Sequence, residues 1–423
     1  MHRVRNIFYN LRRFEPWQRT LAILFVAQFF TAVGFSTIFP FLSLYVAELG
    51  SSTRLSVEFL AGAVFSAQAL TMMVASPIWG AVADRYGRKL MVQRAMFGGA
   101  VILFMMGFVR TAEELVLLRA IQGLITGTVA AANALVAATA PRSRSGFAMG
   151  TLLVGLTTGV AVGPLIGGVL ADAFGYRLTF VLTAVLLLLS GILVLVGVQE
   201  TFARPARDAR QKRSFLADWR HVFQADGVML AYALRFLANL GSSILIPFAP
   251  LFIATLLTDD ARLNTFTGLV IGVSAGAGTL TAVFLGRLGD RSGHRRVLRW
   301  TALLTGLFYL PQSFVANAWQ LLALQALSGA AAGGVIPTIS ALLARYTEPG
   351  EEGSVFGLDN AIVAASRAAA PLLGALIAFW LGLRATFAAT AVVFFLVALL
   401  AMWKLPDAQK AGEAPHPAPT PGD

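Results

Sequence analysis

Apolar runs of roughly 20 residues alternate with short polar turns from Leu21 to Trp403. A helix needs about that length to cross the hydrocarbon core of a bilayer. Twelve runs meet the requirement, at 18–46, 57–83, 90–109, 114–139, 146–171, 176–198, 227–257, 265–288, 297–315, 319–344, 354–380 and 384–403. They are numbered spans 1 to 12, and they predict an all-α integral membrane protein. Residues 1–17 form a basic tail, with Trp17 at the interface. It leads into a full-length apolar run with no small-residue cleavage site, so that run reads as a span and not as a removable signal. The pattern breaks once, at 199–226, a polar linker whose Phe215, Leu216, Trp219 and Phe223 suit a membrane surface. This divides the chain into six-helix bundles at 18–198 and 227–404. A Pro- and Ala-rich tail follows at 405–423 and reads as disordered.

Composition agrees with the pattern. The chain is 57% hydrophobic and 13% charged, against about 25% charged in soluble domains, so membrane lipid must cover much of its surface. Cysteine is absent, which excludes disulfides and thiolate chemistry. The four histidines, His2, His221, His294 and His416, all fall in loops or tails, which excludes a histidine metal centre within the spans. The net charge of +12 raises the question of nucleic acid. However, 25 of the 33 Lys and Arg lie on the side of the N-terminus and linker, five lie opposite, and three lie deeper in spans. That bias is the positive-inside rule. It accounts for the charge without nucleic acid and places both termini in the cytoplasm.

The two bundles repeat each other. Pro40-Phe41 returns as Pro247-Phe248, Pro164-Leu-Ile-Gly167 as Pro371-Leu-Leu-Gly374, and Arg177 with Phe180 as Arg384 with Phe387, each 207 residues on. Gly123 with Gly127 returns as Gly329 with Gly333 after 206. An even number of spans per half makes the repeats parallel, about an axis along the membrane normal.

A charged loop is also copied. Gly80-x3-Asp84-Arg85-x-Gly87-Arg88-Lys89 follows span 2, and Gly286-x3-Asp290-Arg291-x-Gly293 follows span 8. Gly80 and Gly87 suit close approach and unusual backbone angles. Asp84 suits the N-terminus of span 11 near Gly353-Ser354, and Asp290 that of span 5 near Ser145-Gly146, since a helix dipole favours an anion there. The loops then read as latches between the halves. Gly155, Gly159, Gly163 and Gly167 in span 5, with Pro164, form a smooth face at i+4 steps, as do Gly268, Gly272 and Gly276 in span 8. These faces are expected to meet across the halves and seal the outer side.

Twelve spans, a parallel 6+6 repeat and this loop resemble the major facilitator superfamily. Arg119-Ala-Ile-Gln122-Gly123 in span 4 and the span-5 glycine motif are similar to those of its 12-span drug:proton antiporter branch. Asn133-Ala-Leu and Arg144-Ser-Gly-Phe-Ala-Met-Gly-Thr are closest to the MdtG-type multidrug group. The resemblance implies export of small amphipathic molecules, driven by protons without a cofactor, from a monomer in a bacterial inner membrane. It implies a role in proton coupling for Arg119. It also implies a cavity lined by spans 1, 4, 7 and 10, with Gln28, Asn133, Arg235, Asn239 and Gln325 as polar lining and Phe29, Tyr232 and Phe236 as aromatic lining.

The repeat supplies a filter of its own. Charges that only one half carries do not belong to the shared scaffold. Arg119, Arg235, Arg367 and Asp359 align with Gln325, Gln28, Val160 and Leu152. Charges inside spans face cavities and mark pathways, so Arg367 joins the cavity lining and Asp359 the proton-coupling candidates. Many drug exporters have an acid within span 1, whereas here Glu48 lies only at its end, which leaves Asp359 or Asp84 as proton carrier. An importer or lipid transporter on the same scaffold is the alternative reading, and a non-transporting receptor a more distant one. No nucleotide loop or nucleophile–His pairing points to an enzyme.

Overall fold

The computed structural model describes residues 15–198, 200, 227–257, 262–346 and 352–403; the surface-helix reading of the linker and the tail readings lie outside these. Among the described residues every regular element is helical. Span 1 comprises α1 (Pro16–Thr37) and α2 (Leu42–Leu49), span 2 is α3 (Val57–Tyr86), and span 3 is α4 (Arg88–Met106). Span 4 comprises α5 (Ala112–Ile125) and α6 (Thr128–Thr139), and α7 (Ser145–Gly197) holds spans 5 and 6, which turn at Gly175. Span 7 comprises α8 (Val228–Ile244) and α9 (Phe248–Leu256), span 8 is α10 (Leu263–Ser292), and span 9 is α11 (His294–Tyr309) with a 3-10 turn after it. Span 10 comprises α12 (Ala318–Ala332) and α13 (Val335–Tyr346), span 11 is α14 (Glu352–Leu381), and span 12 is α15 (Leu383–Trp403). Among the described residues nine helices are long and apolar enough to cross a bilayer as they stand, one of them the double helix α7. The interrupted spans 4 and 9 and the second arm of α7 make the layout consistent with twelve crossings.

Local chemistry sets the boundaries. Ser56, Thr111 and Asn317 each accept a backbone N–H from the first turn of the helix they precede, satisfying one of the donors that a helix start leaves free. Spans 2 and 3 are separated by Gly87 alone, at φ +100, and spans 8 and 9 by Gly293 alone, at φ +92. Only glycine takes such angles cheaply, which explains why both loops keep it. Gly80, by contrast, is an ordinary helical residue with open space around it. No close approach requires glycine there, contrary to the sequence expectation.

The glycine faces need a larger correction. The span-5 stripe lies against span 1, in the same half. A Cβ at Gly155 would meet the Phe25 ring, at Gly159 the Phe29 carbonyl, at Gly163 Ser36, and at Gly167 the Thr37 carbonyl. Two hydroxyls reinforce the contact: Ser36 Oγ donates to the Gly159 carbonyl at 3.2 Å and Thr37 Oγ1 to the Gly163 carbonyl at 3.4 Å. Spacing identifies a smooth face but not the helix it meets. Spans 5 and 8 do touch, through the adjoining strip of span 5: Gly268 lies on the Pro164 carbonyl, Gly168 on that of Asn264, and Gly272 reaches only the Ala161 carbonyl, at 3.0 Å. At Gly276 the contact has ended, and a Cβ there meets nothing within 4 Å. The same holds for Gly146, Gly150, Gly286 and Gly357, all toward the ends bearing the basic loops. At the glycines described, close contact between the halves lies on the opposite side and open space toward the basic side.

On the opposite side Glu113 organises the turn after span 1. It accepts from the Ser51 hydroxyl at 2.8 Å, the Thr53 hydroxyl at 2.7 Å and the Thr53 N–H at 2.9 Å. The Thr53 and Ser51 bonds hold its carboxyl well below the usual carboxylate range.

These contacts fix three expected outcomes. Gly159→Leu is expected to lower stability by about 1–3 kcal/mol through overpacking. Gly286→Ala should be neutral or up to about 1 kcal/mol stabilising; thermal unfolding in detergent compares the two. Because the folded-state pKa of Glu113 is depressed, its ordering of the turn is complete above the ordinary glutamate value of about 4.3 and is lost progressively as pH falls from there through the depressed folded-state value. Amide exchange at Ser52 and Thr53, corrected for intrinsic rates, should therefore rise at acid pH, and Glu113→Gln should remove that pH dependence.

Candidate functional site

A single ion pair ties three spans of the second half together. Arg235 in α8 sets Nε 2.9 Å from Asp359 Oδ1, and its Nη2 donates to Oδ2 at 3.0 Å. Only the Nη2 contact is a hydrogen bond, and Nε adds a close charge contact to Oδ1. Arg235 Nη1 also lies 3.4 Å from the Ile336 carbonyl and from Ser340 Oγ in span 10. Asn239, one turn on, donates to the Arg235 carbonyl at 2.9 Å. Among the described residues Asp359 is the only buried acid. Arg367 is exposed, eight residues further along span 11 (about 12 Å at 1.5 Å per residue), and close enough to Arg235 to feel its charge.

The first half presents a quieter surface. Gln28 and Asn133 line a recess of about 260 Å³ with Met149, Gly150, Leu152, Leu153 and Leu156. This brings spans 1, 4 and 5 together around two amides and an otherwise mostly apolar wall. Arg119 is elsewhere. It is 1% exposed, donates to Gln122 Oε1 at 2.7 Å and to the Val64 carbonyl at 3.3 Å, and lies 5.7 Å from the Phe65 ring centre. It thus binds span 4 to span 2. Gln325, its repeat counterpart, is also buried. Tyr232 departs from the expected lining: it is 3% exposed, sits in the core of the second half and donates to the Val355 carbonyl at 3.0 Å. A phenol so placed braces span 7 against the first turns of span 11. Phe29 and Phe236 are half-buried.

The latch expectations divide. The side chains of Asp84, Gly353 and Ser354 lie outside the described residues, and with them the proposed contact to span 11. Asp290 is exposed and sits 3.4 Å from Nε2 of His294, one turn on, so it serves its own half and not the start of span 5. Burial, with Arg345 beside it, lowers the His294 pKa from its ordinary value, which disfavours a strong ion pair. Arg85 stacks over Tyr86 at 5.4 Å, and Arg291 is exposed. The rest of each loop closes helix ends. Glu200 accepts the backbone N–H groups of Arg88 and Lys89 at 3.0 and 2.8 Å, capping span 3. Lys89 Nζ donates to the Leu195 carbonyl at 2.9 Å, ending span 6. Its counterpart Arg295 donates to the Ala401 and Met402 carbonyls at 3.2 and 2.7 Å, ending span 12. Cations belong at helix C-termini.

One contact had no counterpart in the sequence reading. Asp172, at the far end of span 5, accepts from the Asn264 N–H at 3.1 Å, Asn264 Nδ2 at 2.8 Å and the Thr265 N–H at 2.7 Å, across the two halves. The same repeat filter isolates it, because its counterpart is Phe379.

A twice-built helical bundle, closed on one side, parted on the other and crossed by a buried ion pair, is the architecture of a membrane transporter. Comparison with known proteins agrees. The family model for the Major Facilitator Superfamily matches residues 24–257 and 231–422. The chain is 36% identical to Multidrug resistance protein MdtG of Serratia proteamaculans, over 92% of this chain and 94% of that protein. It is 35% identical to the protein of that name from Dickeya zeae, over 89% and 92%. Among solved structures it resembles the nucleoside transporter NupG (TM-score 0.76, 15% identity, covering 90% of this chain and 98% of that one). It also resembles a bacterial homologue of the human lysosomal transporter Spinster (TM-score 0.74, 14% identity, 93% and 99%). The chain belongs to the Major Facilitator Superfamily. It is a multi-pass membrane transporter of small molecules and not an enzyme.

Removing one partner of a buried pair strands the other charge, at a cost of about 3–5 kcal/mol. Arg235→Ala and Asp359→Ala should each destabilise on that scale. The double variant should cost clearly less than the sum of the two, as thermal unfolding of all four proteins will read out.

Proposed function

We propose that this protein is a proton-coupled exporter of small amphipathic compounds that works by alternating access of two six-helix halves, residues 18–198 and 227–404. The observation that carries the reading is the Arg235–Asp359 pair. A carboxylate that braces spans 7, 10 and 11 through one guanidinium has two states with different mechanics. Ionised, it holds Arg235 and the three spans together. Protonated, it keeps one acceptor but loses the charge, so Arg235 relaxes its grip and the equilibrium between the two access states shifts. A proton gradient is then sufficient drive, with no cofactor. The resemblance to MdtG multidrug resistance proteins supports export of varied amphipathic substrates. An amide-dotted apolar recess at Gln28 and Asn133 suits such molecules, and Arg235, Asn239, Gln325, Arg367, Phe29 and Phe236 are assigned with it to the substrate path.

The remaining assignments belong to the same reading. Arg119 supports coupling indirectly, by fixing span 4 to span 2. The protein acts as a monomer in the lipid of the bacterial plasma membrane, with both termini and the basic loops in the cytoplasm, as the distribution of Lys and Arg supports. In this reading Asp84, Arg85, Arg88 and Lys89 belong to the cytoplasmic gate, with Asp290 and Arg291 as their counterparts in the other half, and the open space at the basic-side glycines supports a cytoplasm-open form.

The test is export from proteoliposomes of a panel of fluorescent amphipathic dyes, cationic and anionic. An imposed pH gradient should drive wild-type export. Asp359→Asn should lose at least about tenfold of the gradient-driven rate while still exchanging dye across the membrane. Gradient-driven export that survives in Asp359→Asn would remove Asp359 from coupling.

A further inference from the structure

The repeat makes two contacts equivalent: span 5 with span 8, and span 11 with span 2. On the closed side both are tight. A Cβ at Gly62 in span 2 would lie 2.6 Å from the Pro371 carbonyl oxygen and 3.0 Å from Ala375 Cβ in span 11. One at Gly268 in span 8 would strike the Pro164 carbonyl in span 5. Their chemistry differs. The 2–11 contact is apolar packing at these positions, and span 2 caps its own start with Ser56. Span 8 has no cap of its own. Arg262 stands at the N-cap position, offers no side-chain acceptor, and no acid occupies the first turn. Asp172 supplies what is missing, from the other half, with three bonds of 2.7–3.1 Å. The repeat counterparts of Asp172 and Asn264 are Phe379 and Val57, so no second copy of this contact exists in the scaffold.

From this asymmetry we propose that Asp172 is the lock of the closed side, a positioning residue that sets the equilibrium between the two access states. Opening that side pulls span 8 away from span 5. The 2–11 contact parts as two apolar surfaces. The 5–8 contact parts only by exchanging three aligned protein hydrogen bonds of a carboxylate, and the acceptor of a helix start, for contacts with water. Both losses fall on one state, so the lock biases the resting protein toward the basic-side-open form. The inference rests on alternating access, as proposed above.

The chain has no cysteine, so spin labels can be placed in the full-length protein without a prior background change. One pair, Arg54→Cys with Ala316→Cys, reads the closed side; a second, Arg144→Cys with Arg291→Cys, reads the basic side. In nanodiscs, Asp172→Ala should raise the long-distance population on the closed side on the order of tenfold, as a capping carboxylate's free energy implies, with a matching shortening on the basic side. Asp172→Asn keeps an acceptor without the charge and should fall between. A reciprocal shift on both sides separates a lock from a fold defect, which would broaden both distances and lower the Tm alone; that outcome overturns the proposal. Two distances whose ratio is the same with and without Asp172 also overturn it, and leave alternating access standing. A single distance on each side in every variant, with and without ethidium, would count against alternating access itself.

Discussion

Hydrocarbon offers no partner to a polar group, and each part of this structure is a response to that. Backbone donors and acceptors must be met within the chain, so the fold is helical throughout its described spans. Where helices end, side chains take over. Glu200 caps span 3, Lys89 and Arg295 close spans 6 and 12, and Asp172 reaches across to span 8. Two ionic groups within the spans are met locally, Arg235 by the Asp359 carboxylate and Arg119 by hydrogen bonds to an amide and a carbonyl. Apolar area adds little between helices in lipid. Close backbone contact does the binding instead, and the glycine stripe of span 5 on span 1 is its clearest instance.

A duplicated scaffold solves the packing problem twice and leaves function to the places where the copies differ. Arg119 and Gln325 occupy one position in the two halves, and both are buried, yet only the arginine needs carbonyl and amide partners. Asp359 and Arg235 replace a leucine and a glutamine, and they meet. In the proposed cycle the difference between ionised and protonated carboxylate is concentrated in one half, where a single guanidinium touches spans 10 and 11.

Much of this was legible in the chain. Run length gave the spans, the offset of 206 or 207 gave the repeat, and the glycines of the charged loops gave the one-residue turns at Gly87 and Gly293. The repeat filter selected Asp359 and Arg235, although nothing local relates residues 124 apart. The failures have a common physical cause. Periodicity fixes the angle of a face on its own helix but carries no information about which neighbour lies there. The span-5 glycines were therefore assigned to span 8 when they serve span 1, and Tyr232 was assigned to a cavity when it serves the core. Asp290 was assigned by analogy with a helix dipole, but a histidine one turn away was nearer. Asp172 sits at a span end, where a charge ordinarily needs no explanation, so nothing in its position along the chain singles it out.

That last case shows how far charge position alone can carry an argument. An acid at a membrane interface is unremarked because water is available to it. Here the acceptor faces a helix start that no residue of its own half caps. Interfacial position explains why the carboxylate is affordable, and the missing cap explains why it is aimed. The two halves are thus joined on the closed side by a bond that each lacks alone, whereas on the basic side the capping contacts of Glu200, Lys89 and Arg295 all remain within one half. In the proposed reading the Asp172 contact biases the protein toward being closed on that side, and the open space at Gly146, Gly276 and Gly286 agrees with it.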